Sequence, residues 1–330
     1  MSMFLYFQFL MAQTIASFDT AHAGTIHDAQ VDYYGKRLAT ASSDHSIRVW
    51  DVSSEQQSFI AELRGHEAPV WQLSWSHPKF GSLLASSSYD RNVIIWKETR
   101  PGVWEQIYKD SSHQASVNSI AWCPWEQGLC LATASADGSI GFLTFRGGSN
   151  WDRKKVEVAH ANGVNAISWA PATTPATLAS GPAVGGPQLS PMRVVTGGND
   201  NRVKIWQCDD SGEWREVDAK GQEEQPPHAD WVRDVAWRPN VGIPSNTIAS
   251  GSEDRILNIW SQAMDGKPWK ISFSVNLNSP IWRLSWSITG SLLAVACGDN
   301  TISLFKESTD SGQWVLVNSL NEQGINQPTI

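Results

Sequence analysis

Cysteine is scarce in this chain: four in 330 residues, at 123, 130, 208 and 297, with no Cys-x-x-Cys pair among them. That excludes a disulfide-stapled fold and a clustered-cysteine zinc site, and it fits free thiols in a reducing compartment. No apolar run reaches the ~20 residues a membrane helix needs. The apolar opening MSMFLYFQFL, residues 1–10, carries no Lys or Arg. A secretory signal wants a basic start and a small-residue cleavage site, so 1–10 is expected to be a disordered upstream extension, with natural initiation at Met11. Basic residues are also in deficit, 25 against 33 acidic, for a net charge of −8 spread along the chain. This argues against a general nucleic-acid binder. Catalytic signatures are missing as well: no glycine-rich phosphate loop, His-Glu-x-x-His pair, close Cys/His cluster or nucleophile elbow occurs. GPAVGG at 181–186 lacks the lysine of a phosphate loop. No enzyme activity, metal or cofactor is expected.

Tryptophan is abundant instead, at 18 residues, and most of it falls on a repeat. An Asp-x₅-Trp string occurs as DHSIRVW (44–50), DRNVIIW (90–96), DNRVKIW (200–206) and DRILNIW (254–260), with weaker copies DGSIGFL (137–143) and DNTISLF (299–305). Six copies at steps of roughly 45–63 residues predict a β-propeller. Each copy opens with a strand of alternating apolar residues, which is strand periodicity. The residue that starts it is Ile26, Val70, Val117, Val164, Val232 or Ile281; five further on stand Val31, Trp75, Trp122, Trp169, Trp237 and Trp286. A strand of small and β-branched residues follows, then a tight turn holding the Asp, a third strand, and a polar fourth strand as expected of a blade's outer edge.

A His precedes the first strand of five copies. His22, His66, His113, His160 and His228 are expected to join Asp44, Asp90, Asp137, Asp200 and Asp254 through Thr40, Ser86, Thr133, Thr196 and Ser250, and on to the third-strand Trp. Buried polar groups must be paired, so such a network is kept or lost whole. The sixth copy has Leu277 and Val295 at the His and Ser/Thr positions together. The network therefore reads as structural rather than catalytic.

Six blades of four strands need 24 strands, and 314–319 supplies the sixth blade's own fourth. A further extended segment, 14–18, precedes the first copy. The spare edge predicts an open ring filled by foreign strands, since unpaired edges are normally covered or used. The alternative is that 314–319 is only tail and 14–18 closes the sixth blade, giving a closed-ring peptide-binding adaptor. Residues 11–320 form the single propeller, 170–191 a Pro/Gly/Ala-rich surface insertion, and 321–330 a disordered tail.

Longer strings carry a more specific likeness. FDTAHAGTIHDAQVDYYGKRLATASSDHSIRVWDV (18–52), LRGHEAPVWQLSWSHPKFGSLLASSSYDRNVIIWKE (63–98), AHANGVNAISWAP (159–171), VVTGGNDNRVKIW (194–206) and HADWVRDVAWRPN (228–240) resemble, in this order, the family of small WD40 propeller subunits of the COPII outer coat, shared with the Y-shaped scaffold complex of the nuclear pore. The resemblance runs from about 11 to about 320. It implies an all-β, six-bladed open propeller with a seventh blade supplied in trans by a large α-solenoid partner. That partner is the long outer-coat subunit or a solenoid nucleoporin; fungal members also belong to a vacuole-associated nutrient-signalling complex. It further implies work at the endoplasmic reticulum, on COPII vesicles and at the nuclear pore, with membrane contact only through the assembly. The expected partner-blade edge is Ile15, Ala16, Ser17 and Phe18 at the N-terminus with Trp282, Leu284 and Trp286 on the sixth blade; Arg37 and Arg48 lie near the other wall.

Overall fold

A computed structural model describes residues 18–54, 56–173, 189–217, 226–239, 245–263, 267–308 and 312–320. The extension 1–10, residues 14–17 of the strand expected at 14–18 (with Ile15, Ala16 and Ser17), most of the 170–191 insertion and the tail 321–330 lie outside these residues. Among them are 24 strands in six antiparallel sheets of four, each built from consecutive strands.

Blade 1 holds β1 (Ile26–Val31), β2 (Arg37–Ser42), β3 (Ser46–Asp51) and β4 (Ser58–Arg64). Blade 2 holds β5 (Val70–Trp75), β6 (Leu83–Ser88), β7 (Val93–Arg100) and β8 (Val103–Asp110). Blade 3 holds β9 (Val117–Trp122), β10 (Cys130–Ser135), β11 (Ile140–Gly147) and β12 (Asn150–Val156). Blade 4 holds β13 (Val164–Trp169), β14 (Arg193–Gly198), β15 (Val203–Cys208) and β16 (Trp214–Val217). Blade 5 holds β17 (Val232–Trp237), β18 (Asn246–Ser252), β19 (Ile256–Gln262) and β20 (Lys270–Asn276). Blade 6 holds β21 (Ile281–Trp286), β22 (Leu292–Cys297), β23 (Ile302–Glu307) and β24 (Trp314–Leu320), the last pairing with β23 in its own blade.

The aspartates earn their place first as turn formers. In every blade the residue after the Asp has positive φ: His45, Arg91, Gly138, Asn201, Arg255 and Asn300. Outside glycine that conformation is costly. The Asp carboxylate offsets it by accepting the next backbone N–H, from Ser46, Asn92, Ser139, Arg202, Ile256 and Thr301 at 2.8–3.2 Å. This explains why Asp299 stands in blade 6 although its His partner is gone.

The His network is formed in blades 1–5. His Nδ1 meets the Asp at 2.8–3.3 Å, and Nε2 meets the Ser or Thr hydroxyl at 2.7–2.8 Å. Trp96, Trp206 and Trp260 donate to the same hydroxyl at 2.9–3.0 Å. Blade 3 has Leu143 in place of the Trp. In blade 1 the expected link from Trp50 is not made: its Nε1 is buried without an acceptor. Its ring instead meets Phe18 and Phe59 edge-on, at 5.3 and 5.4 Å. Burial alone would raise the five network aspartates; the hydrogen bonds they accept overturn this and hold all five below the usual range, Asp137 at about 2.

The core lies between blades. Blade 1 meets blade 2 through Ala39, Ala41, Ile47 and Val49 against Val70, Leu73, Leu84, Ile94 and Trp96, and comparable clusters fill the next four junctions. The inner strands pack in series, β1–β5–β9–β13–β17–β21. Among the described residues β21 and β1 share no packing of comparable extent.

Candidate functional site

The inner strands line a central channel of about 740 Å³. Neighbouring blades are stitched there in both directions. Going forward, a side chain on one inner strand accepts a backbone N–H of the next. Asp28 takes Leu73 N–H (2.9 Å), Gln72 takes Ile120 N–H (2.7 Å), Ser119 takes Ile167 N–H (3.3 Å) and Asp234 takes Leu284 N–H (2.7 Å). Blade 4 has Ala166 at this position and uses Ser168, two residues on, to take Trp237 N–H (3.0 Å). Going backward, the Trp that ends an inner strand donates to the preceding blade's carbonyl. Trp75 reaches Gln30, Trp122 reaches Ser74, Trp169 reaches Ala121 and Trp286 reaches Ala236, at 2.7–3.1 Å. Trp237 is the exception: its Nε1 has no acceptor, and Arg193 lies over its ring at 5.5 Å.

A third series comes from a β-bulge in the first strand of each blade, where the register slips by one residue. A bulge re-aims the extra side chain. His27 packs edge-on against Trp71 (4.4 Å), Trp71 donates to Ser116, Asn118 to the Val164 carbonyl and Asn165 to the Val232 carbonyl, and Arg233 lies over Trp282 at 5.0 Å. Trp282 ends this series and is 46% exposed.

The junction of blade 6 with blade 1 differs at every one of these positions. Val31 replaces the tryptophan that would reach back, and Val31 is 57% exposed. Arg283 replaces the acceptor that would reach forward; a guanidinium has no acceptor atom. The flanking faces differ too. Ile26 is 42% exposed, whereas Val70, Val117, Val164, Val232 and Ile281 at its position are fully buried. Ile302 is 42% exposed, whereas Ile47, Val93, Ile140, Val203 and Leu257 at its position are at most 3% exposed. β22 alternates between buried and uncovered residues, while β6, β10, β14 and β18 are buried on both faces.

Of the residues expected at the partner edge, Phe18 lies against Trp50, and Trp282 is half-exposed with Arg233 of blade 5 over its ring. Leu284 and Trp286 do not face that edge; they pack on blade 5 with Ala236, Ala249, Leu257 and Ile259. Arg37 turns toward blade 2, where it pairs with Glu98 at 2.5 Å. Arg48, on the opposite face of blade 1 from Ile47 and Val49, donates to the Thr20 carbonyl at 2.8 Å. Ile26, Val31, Arg283 and Ile302 were missed; comparing the same register position across all six copies would have found them.

The network histidines have both ring nitrogens engaged by neighbours, which leaves none to move a substrate proton. No group of His, Cys, Asp or Glu able to hold a metal occurs among the described residues. No helix there is long and apolar enough to cross a membrane.

The family model for the WD domain, G-beta repeat, matches six times, at 13–51, 57–97, 104–142, 152–207, 222–261 and 270–306. The chain is 55% identical to protein transport protein sec13 of Schizosaccharomyces pombe, across 92% of this chain and 98% of that protein. It is 56% identical to protein transport protein SEC13 homolog A of Arabidopsis thaliana, across 90% and 95%, and 45% identical to the SEC13 homolog of Drosophila melanogaster, across 93% and 84%. The chain belongs to the SEC13 family of WD-repeat propellers. As a SEC13-family propeller it is a scaffold and not an enzyme, and the six family repeats fall on the six blades described above.

Proposed function

We propose that this SEC13-family chain is an open six-bladed ring that takes up a blade from a large α-solenoid partner between blades 6 and 1. The ring stiffens that partner for COPII vesicle budding from the endoplasmic reticulum and, with a solenoid nucleoporin, for the nuclear-pore scaffold. A vacuolar nutrient-signalling complex is a third setting of the same kind. The membrane is reached only through the assembly. The family's protein-transport relatives support the coat role. The insertion mechanism rests on one observation: every other junction keeps at least one of the two stitches, the 6/1 junction has neither among the described residues, and the faces on its two sides carry uncovered Ile26 and Ile302.

An inserted sheet of three strands, covered on both faces, buries well over the ~1,600 Å² of an ordinary interface, so the complex is obligate rather than transient. Its energy comes from apolar burial and from strand pairing at exposed edges. The test is expression of the chain alone and with the outer-coat solenoid subunit of the same organism. The expected outcome is poor solubility alone and a stable 1:1 complex together, weakened by deletion of 12–19. A soluble monomer that ignores the partner would overturn the reading.

A further inference from the structure

The character of the inserted strand follows from an inversion at one position of the channel wall, and this step rests on the partner-blade reading above. In blades 1, 2, 3 and 5 the third residue of the inner strand is an acceptor: Asp28, Gln72, Ser119 and Asp234. Each takes the N–H of the fourth residue of the next inner strand, at 2.7–3.3 Å. That N–H lies on the open side of the strand, where no ladder partner exists, so the acceptor completes the backbone hydrogen bonding of the next blade. In blade 6 the position holds Arg283, whose charge acts on Asp234 and His27 without a hydrogen bond to either. The N–H that the series would next satisfy is that of Ala29 in blade 1. At this level of the channel the junction therefore offers two donors, the Arg283 guanidinium from blade 6 and the Ala29 N–H from blade 1, and the series position supplies no acceptor.

An inner strand inserted between β21 and β1 brings its own third residue to this level. In the pattern of the other blades, that residue must accept the Ala29 N–H. It also stands beside Arg283, as Arg283 stands beside Asp234 in the existing ring. Asp234 already gives Arg283 an acidic neighbour on the blade-5 side, but a neutral amide or hydroxyl spent on the N–H would leave the guanidinium's own hydrogen bonds unmade on the side of the gap. A carboxylate satisfies both, and its two oxygens match two donors on opposite sides. We infer that the innermost strand of the inserted blade carries an Asp or Glu at the register of Asp28 and Asp234, accepting the Ala29 N–H on one side and the Arg283 guanidinium on the other. Arg283 thus selects for an acidic strand, because any basic residue at that level would oppose it inside the channel.

The experiment uses the full chain co-purified with the outer-coat solenoid subunit. Arg283→Gln installs the residue that serves blade 2 at this position, so the propeller itself should fold; its melting temperature is measured alongside, because Arg283 also acts on the buried Asp234. Its affinity should fall about tenfold to a hundredfold, the loss expected for a hydrogen-bonded charge left without its partner. The complex should also become less sensitive to salt, since a charge pair has been removed. Arg283→Lys, which keeps the charge and loses the fork, should fall in between. Replacing the acidic residues of the partner's inserted segment one at a time by Arg should find one that abolishes binding to the wild-type ring and restores it to Arg283→Asp. Binding of Arg283→Gln within about twofold of wild type and with the same salt dependence overturns this inference while leaving blade insertion standing. Failure of the wild-type pair to associate overturns the insertion reading, and this inference with it.

Discussion

Ile302 and Leu257 occupy the same position in adjacent blades and differ in what covers them. Leu257 is fully buried between blades 5 and 6, while Ile302 leaves 42% of its surface in water. Truncating Leu257 to Ala removes packing on a closed face and should destabilise the isolated chain by about 2–5 kcal/mol. Ile302→Ala removes atoms that are half solvated, and should cost the isolated chain only about 1 kcal/mol. The deficit then appears in the complex. At its observed exposure Ile302 leaves roughly 70 Å² of apolar surface uncovered, and covering it contributes about 2 kcal/mol, or roughly 20-fold in an association constant. Urea unfolding of the two variants and competition binding to the partner separate the terms: Leu257→Ala acts on stability, Ile302→Ala mainly on association. If both variants lose several kcal/mol without partner, the face carrying Ile302 is covered within the chain and the ring is closed.

Asp234 is buried, with its carboxyl pushed up to about 6 by desolvation, against the opposing influence of Arg283 and the N–H groups of Leu284 and Val235. A folded-state pKa above the unfolded one contributes stability at low pH that is lost as pH rises from about 4 through about 6, here up to ~3 kcal/mol. Asp234→Asn keeps an oxygen for the Leu284 N–H and removes the titration. The wild-type-minus-variant difference in urea midpoints should therefore decline with rising pH across that window, and a difference independent of pH would refute the assignment. In the His network, the Ser86 hydroxyl engages two partners, the His66 Nε2 and the Trp96 N–H it accepts, whereas Thr40 engages His22 but not Trp50. Ser86→Ala should destabilise by about 2–4 kcal/mol, and Thr40→Ala by roughly half as much, measured by the same unfolding assay.

Six blades, their Asp turns and the His–Asp pairs were legible because they depend on local chemistry. A tight turn needs its carboxylate two residues before the N–H it binds, and Leu277 with Val295 announces the network's loss in the same way. The fourth strand of blade 6, expected at 314–319 as a polar outer strand, runs over Trp314–Leu320. The direction each residue faces was not legible. Leu284 and Trp286 were expected at the partner edge, yet they pack on blade 5. Alternation assigns residues to two faces without saying which neighbour each face meets. The bulge after Ile281 then shifts the parity by one residue, so Trp282 is left half-exposed beside Arg233 while Leu284 packs on blade 5. The departure of Trp50 from its hydroxyl was equally hidden, because it depends on Phe18 and Phe59, which no repeat position predicts.

The tryptophan stitches also have an order in time. Trp75, Trp122, Trp169 and Trp286 each fasten onto a carbonyl from the blade made just before. A growing polypeptide can therefore lay down each petal on a finished template, without waiting for residues still to be synthesised. Val31, in the first petal, stands where the later petals carry that tryptophan, so among the described residues no such stitch fastens the first petal to the last, and the order of synthesis leaves that seam until the end.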